Sequence, residues 1–252
     1  MIPLSDLTNY LDSALHLADF EDYPNALNGL QVENGGEISR VVAAVDACEA
    51  TISAAVDAGA DLLLVHHGLF WGGLGPVTGA SYRKMRLAIE NGLAIYSAHL
   101  PLDAHSEFGN NVLFAEALNL KHNREPFFQV KGRPIGIQVE EEINREVLRN
   151  RIEVEVGGRV ILAPGGPVST GRIGIVTGGA GTDLAKAAAE GVDTFITGEA
   201  PHWCYSAAEE LGINLFLAGH YATEIYGVKA LGKHIGQRFH IDYEFIDHPS
   251  GL

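Results

Sequence analysis

The sequence predicts an α/β fold built from two similar halves related by an internal duplication, and two observations lead there. Short apolar runs at 41–45, 61–65 and 93–97 are separated by helix-length stretches at 47–58 and 81–90, the order expected of parallel strands joined by crossover helices. The order then returns. Residues 40–67 align without a gap on 172–199, setting Gly59 on Gly191 and Asp61 on Asp193, and a second alignment sets His99 on His220 and Asp103 on Glu224.

In chain order, Leu7, Tyr10, Leu11, Ala14 and Leu15 recur at helical spacing behind Ser5, which predicts an amphipathic helix capped by that serine and ended before Pro24. Asn25-Ala26-Leu27-Asn28-Gly29-Leu30-Gln31-Val32 is turn-rich and then extended. The strands and helices named above follow. Segments 134–140 and 159–162 read as strands flanking a helix at 142–151, a small α+β connector expected to pack on the second half. The chain closes with helical stretches at 220–226 and 228–237 and a strand at 240–246. The expected organisation is a first α/β half at 1–121, the connector at 122–171 and a second α/β half at 172–252.

With 252 residues, 46% of them hydrophobic, the chain can bury one large core or two smaller ones without disulfides. Its uncharged apolar stretches fall far short of the roughly 20 residues that cross a bilayer, and Met1-Ile2-Pro3-Leu4-Ser5-Asp6 lacks the cationic start of a secretory signal. A cytoplasmic protein without membrane partners is expected. Cys48 and Cys204 are too far apart in sequence for a CxxC pair, so both read as buried small hydrophobes. A net charge of −15 and the lack of a Lys/Arg stripe exclude nucleic acid as a primary partner.

Histidines and carboxylates gather where the predicted strands end. His66-His67-Gly68 closes the first such run, and His99-Leu100-Pro101-Leu102-Asp103 and His220-Tyr221-Ala222-Thr223-Glu224 each place a carboxylate four residues after a histidine. Open α/β sheets bind ligands at the carboxyl ends of their parallel strands. Neighbouring strand side chains alternate faces, so His66 and His67 share a site only if the chain turns after them, as Gly68 permits. His220 is expected at a helix start with Glu224 one turn further on the same face. Asp103, beyond Pro101, is expected in a turn. Each motif alone reads equally well as loop or surface residues; their convergence favours metal ligation.

Three imidazoles and two carboxylates, from His66, His67, Asp103, His220 and Glu224, cannot close two coordination spheres, whereas structural zinc sites are closed. This nitrogen and oxygen set suits two divalent ions of Zn, Fe(II) or Mn better than Ca or Cu(I), and the cleft between the halves is their expected place. Such an ion pair lowers the pKa of water and polarises the bond under attack, so hydrolysis is the natural chemistry. His99 and His105 are expected beside the ligands, the plain alternative being hydrogen-bonded loop histidines.

Weaker signals surround this set. Gly178-Gly179-Ala180-Gly181 precedes a predicted helix and reads as a tight turn or a phosphate loop, but Leu184 stands where a dinucleotide fingerprint needs its third glycine. Thr197-Gly198-Glu199 falls on the His66-His67 position of the repeat, which makes Glu199 a candidate general base, a carboxylate near the metals or a loop cap. Phe70 and Trp71 are candidates for the cleft wall or for core. No G-x-S-x-G elbow and no activated cysteine is visible.

Together these residues resemble the Nif-three-like dinuclear metal family, whose bacterial members are often labelled GTP cyclohydrolase I type 2 homologs. The resemblance rests on Asn28-Gly29-Leu30-Gln31-Val32, His66-His67-Gly68, the run from His99 through Asp103 to His105, Gly109-Asn110-Asn111, Thr197-Gly198-Glu199 and Gly219-His220 with Glu224. It spans nearly the whole chain in family order. It implies two ions held by His66, His67, Asp103, His220 and Glu224 between two similar domains, and a homo-oligomer, a toroidal hexamer with metal sites facing its cavity. The chain departs where many relatives follow the Glu with Arg-Gly-Gly, since Ile225-Tyr226-Gly227 stands here, and its connector is too short for the inserted domain of some members.

The expected function is a dinuclear metal-dependent hydrolase of a small molecule, with a nucleotide such as GTP and its guanine ring as the type substrate and Glu199 or His99 moving the proton. The alternative is a non-catalytic metal-binding regulatory or interaction protein. A nucleotide-cofactor oxidoreductase suffers from the broken glycine fingerprint.

Overall fold

In the computed structural model, which describes residues 1–252, the apolar runs become buried strands in two compact units. Met1–Leu102 and Gly227–His248 form the first unit, Asp103–Tyr226 and Pro249–Leu252 the second. The chain runs through β1 (Ile2–Pro3), α1 (Leu4–Ala14), β2 (Gly29–Val32), β3 (Glu37–Ile38), β4 (Arg40–Asp46), α2 (Glu49–Asp57), β5 (Leu62–His67), α3 (Gly79–Glu90), β6 (Ala94–Ser97) and the single turn α4 (Leu100–Asp103). It continues through α5 (Asn110–Ala117), β7 (Glu125–Val130), β8 (Arg133–Glu140), α6 (Arg145–Val156), β9 (Ile161–Pro164) and β10 (Arg172–Ile175). Then come α7 (Leu184–Ala189), β11 (Thr194–Thr197), α8 (Cys204–Leu211), β12 (Asn214–Leu217), α9 (His220–Phe239) and β13 (Asp242–Phe245).

The first unit carries a sheet in the order β13-β4-β5-β6-β2, parallel except for β2. The second carries β7-β8-β10-β11-β12-β9, with β10, β11 and β12 parallel at its centre and antiparallel strands outside them. Central strands covered on both faces read as continuous apolar runs, as Val41-Val42-Ala43-Ala44-Val45 does. Ile52, Ala55 and Ala88 of the crossover helices pack on Val42, Leu63 and Ile95 of the first sheet. In the second unit Phe114, Leu118, Leu148 and Ile152 pack on Ile173, Ile196 and Phe216.

An aspartate ties the strand starts in the same way in each unit. Asp61 Oδ2 accepts from the amides of Ser39 (2.7 Å) and Arg40 (3.0 Å), while its carbonyl accepts from Ala94 at 2.9 Å. Asp193 Oδ2 accepts from the amides of Gly171 and Arg172, both at 2.9 Å, and its carbonyl from Asn214 at 2.9 Å. These are the two aspartates that the internal alignment superposes.

Several expectations are corrected. Ser5 does not cap α1, which begins at Leu4; the Leu4 amide donates to Gly36 O at 3.2 Å because β1 pairs with β3. Cys204 is buried, but Cys48 is half-buried and caps α2, its amide donating to Thr51 Oγ1 at 3.0 Å. The helix expected at 142–151 begins only at Arg145, where Asn144 Oδ1 accepts from the Glu146 amide. Asp103, expected in a turn rather than a helix, ends the one-turn helix α4, and the closing helical stretches are one helix, α9. No helix is long and apolar enough to cross a membrane.

Removing either aspartate clasp leaves two backbone amides without their acceptor. Asp61→Ala and Asp193→Ala are each expected to cost about 1–2 kcal/mol, read as a lower urea midpoint with unchanged slope.

Candidate metal centre

The site begins with strand register. Parallel pairing sets Asp46 at the end of β4 against His67 at the end of β5, and His67 Nδ1 donates to Asp46 Oδ1 at 2.9 Å. His66 is fully buried and its Nδ1 donates to the carbonyl of Ala98, just past β6, at 2.8 Å. His99 Nδ1 donates to both oxygens of Asp22 at 3.1 Å. Carbonyl and carboxylate oxygens only accept, so each neutral ring carries its proton on Nδ1 and its lone pair on Nε2.

The three rings gather. Their centroids lie 4.7 Å (His66 to His67), 4.9 Å (His66 to His99) and 5.6 Å (His67 to His99) apart, and one nitrogen from each lies within 4.8 Å of the others. Strand β5 extends through both His66 and His67. The two rings meet because the strand ends at them. The chain turns directly after Gly68, at residues 69–72, and a β-carbon at Gly68 would collide with the Gln31 amide group, which holds Leu69 N, Ala26 O and Leu27 O.

Asp22 and Asn28 support His99 from a coil. Asn28 Oδ1 accepts from the His99 amide at 2.7 Å and its Nδ2 donates to Asp22 at 2.8 Å. Burial pushes the Asp22 carboxyl up, but hydrogen bonds and charge from His99, with help from Asn28 and the Tyr23 amide, outweigh it and hold the group below its ordinary value. Trp71 stands nearly perpendicular to His67 and His99, with centroids 5.5 and 4.7 Å away.

In the second unit His220 follows β12 and opens α9. Its Nδ1 lies 3.0 Å from Glu199 Oε1 and its Nε2 3.1 Å from Glu224 Oε2, so the two glutamates bracket the ring. Glu224 is 3% exposed. Gly178, at φ +71°, makes room for it: a β-carbon there would collide with Glu224 Oε1. Three of the four amides of this glycine loop are committed internally, Gly178 N to Thr223 Oγ1, Ala180 N to Thr197 Oγ1 and Gly181 N to Glu199 O. The loop is a spacer for a carboxylate rather than a phosphate cradle.

Asp103 is 7% exposed and accepts from Asn110 Nδ2 at 2.8 Å; its carbonyl accepts from Asn111 at 3.2 Å. His105 Nδ1 accepts from the amides of Glu107 and Phe108 and its ring stacks on Phe108, so this histidine shapes a turn. Asp22 and Asp46 are the site residues that sequence reasoning missed, whereas Asn110 belongs to the Gly109-Asn110-Asn111 motif already singled out. Only Asp46 left a signal, as the polar end of the strand beside His67.

The donor chemistry fits a divalent ion. His66, His67 and His99 each have Nδ1 fixed by an oxygen, as metal-ligating histidines require, and these three rings form a group that could hold a metal ion. Burial disfavours charge on His220, but hydrogen bonds and charge from Glu224 and then Glu199 prevail and raise its pKa from 6.5 to about 9. A metal therefore has to displace the proton on Nε2.

Three outcomes follow, the first two for the metal-free protein. A raised folded-state pKa stabilises below the unfolded value and is lost as pH rises through the folded one, so stability should fall between pH 6.5 and about 9. His220→Gln should flatten that slope in thermal melts. Gly178→Ala should weaken metal binding on the order of 10- to 100-fold, read by competition with a chromogenic chelator, while the circular dichroism spectrum persists.

Known proteins resemble the whole chain. The GTP cyclohydrolase 1 type 2 homolog of Deinococcus radiodurans is 40% identical over 249 residues, covering 98% of this chain and 94% of that protein. The protein of the same name from Halobacterium salinarum is 40% identical over 255 residues, covering 99% of each. The crystal structure of TTHA1606 from Thermus thermophilus is 36% identical with a TM-score of 0.90 and covers 100% of both chains. Reduced HcgD from Methanocaldococcus jannaschii, 24% identical over 98% of each chain, shares the fold with a TM-score of 0.86. The family model described as Duf34/NIF3 (NGG1p interacting factor 3) matches residues 2–250, and the chain belongs to that family.

Proposed function

We propose that the chain is a dinuclear, divalent-metal-dependent hydrolase of a small molecule, with ring opening of GTP as the type reaction. The observation that supports this reading most is shared by His66, His67 and His99: each gives Nδ1 to an oxygen, which turns Nε2 toward a ligand, while His220 keeps Nε2 on Glu224 until a metal takes the proton's place. In this reading His66, His67, Asp103, His220 and Glu224 hold two ions of Zn, Fe or Mn. Bound divalent ions supply Lewis acidity, polarising the bond to be cleaved and acidifying water.

The chain's own residues position and move protons. Asp46, Asp22 and Glu199 fix the orientation of His67, His99 and His220. Glu199, its side chain 48% exposed, can take and return a proton through its carboxylate, and His99 can do so at Nε2. Trp71 packs nearly perpendicular to the His67 and His99 rings. The GTP substrate comes from the printed names of the Deinococcus and Halobacterium relatives; a toroidal homohexamer in the cytoplasm completes the proposal.

One observation favours a non-catalytic metal-binding regulatory protein instead, namely that the family description names an interacting factor. Chelation separates the two readings: an enzyme leaves a folded apo-protein that regains activity with metal, whereas a structural metal leaves an unfolded chain.

With GTP and added Mn, Zn or Fe, wild-type protein should form a ring-opened product and His67→Ala should lose at least about 100-fold in turnover. Equal turnover by the variant would remove the site from the chemistry.

A further inference from the structure

The loop joining β5 to α3 faces two ways. Trp71 lies against His67 and His99, whereas Leu69, Phe70 and Val77 line a cavity of about 370 Å³ completed by Ser81, Lys84 and Met85. That volume falls in the range of small-molecule sites, roughly 300–1,000 Å³. No residue from Gly68 to Tyr82 is charged, and glycines supply much of the loop, so its walls are apolar side chains and bare backbone. Ser81, Lys84 and Met85, at i, i+3 and i+4, form one face of α3.

Lys84 is the one charged residue in this wall, and no carboxylate lines the cavity to neutralise it. In a chain of net charge −15 this is a local exception. Lys84 is half-buried and anchored, its Nζ donating to Ala47 O at 3.3 Å, while the Ala47 amide donates to His67 O at 2.8 Å. That anchor occupies one of three ammonium donors.

We propose that this cavity is a ligand site for a small molecule with an apolar body and a single terminal oxyanion, which Lys84 Nζ and Ser81 Oγ bind. It is a site additional to the metal centre and stands whether or not the protein is a hydrolase. A molecule seated there touches the neighbours of Trp71 in the chain, so occupancy alters the environment of that indole.

The protein has two tryptophans, and Trp203→Phe leaves Trp71 as the sole reporter. Metal-loaded Trp203→Phe protein is titrated with benzenesulfonate, a weak metal ligand, and with phenol as the neutral control. The expected result is a saturable change in Trp71 emission with benzenesulfonate. Its apparent affinity should fall at least about tenfold for phenol or in Lys84→Met, recover in Lys84→Arg and persist in His67→Ala. Equal affinity for phenol, unchanged binding in Lys84→Met, binding lost only in His67→Ala, or no saturable change would overturn the proposal.

Discussion

The candidate ligands of each unit depend on one constraint: every imidazole must be held at Nδ1 by an oxygen so that its ring and its Nε2 have a fixed direction. Free imidazole exchanges its proton between two nitrogens and its ring rotates, and both freedoms have to be removed before a metal site has a fixed shape. The fold removes them with groups already required by its strand ends. Ala98 O, past β6, fixes His66, and Asp46, ending β4, fixes His67. Asp22 fixes His99 and Glu199 fixes His220. Parallel pairing makes this inexpensive in structure, because it brings the carboxyl ends of neighbouring strands side by side.

Close packing does the rest. Gly68 admits Gln31, and Gly178 admits Glu224 at a backbone angle that other residues rarely adopt. The loops that carry the donors are thus tied down by neighbours rather than left to their own preferences. Asp61 and Asp193 clasp the strand starts with matching bonds at the opposite ends of the same strands, which supports the idea that the two units descend from one βαβ ancestor.

Much of this was legible in the sequence. The buried parallel strands announce themselves as apolar runs, and a histidine or glutamate directly after such a run points to the ligand-binding end of a sheet. What escaped has physical reasons. Asp22 sits in a coil 77 residues from its partner His99, beyond any local pattern. Strand β7 begins Glu125-Pro126 and places Phe127 and Phe128 both inside, with Phe128 at φ +63°, so neither alternation nor a clean apolar run marks it. Helix α5 starts with Asn110-Asn111, poor helix formers kept for their hydrogen bonds: Asn111 ties Asp103 O and Ile135 O to the Thr177 amide.

The most direct test of the central claim is elemental analysis of protein purified without added metal, joined to X-ray absorption at the edge of the metal found. The account expects about two first-row divalent ions per chain surrounded by imidazole nitrogen and carboxylate oxygen, with no sulfur. A metal-free protein that refuses added Zn, Fe and Mn, or a metal bound through sulfur, would contradict it.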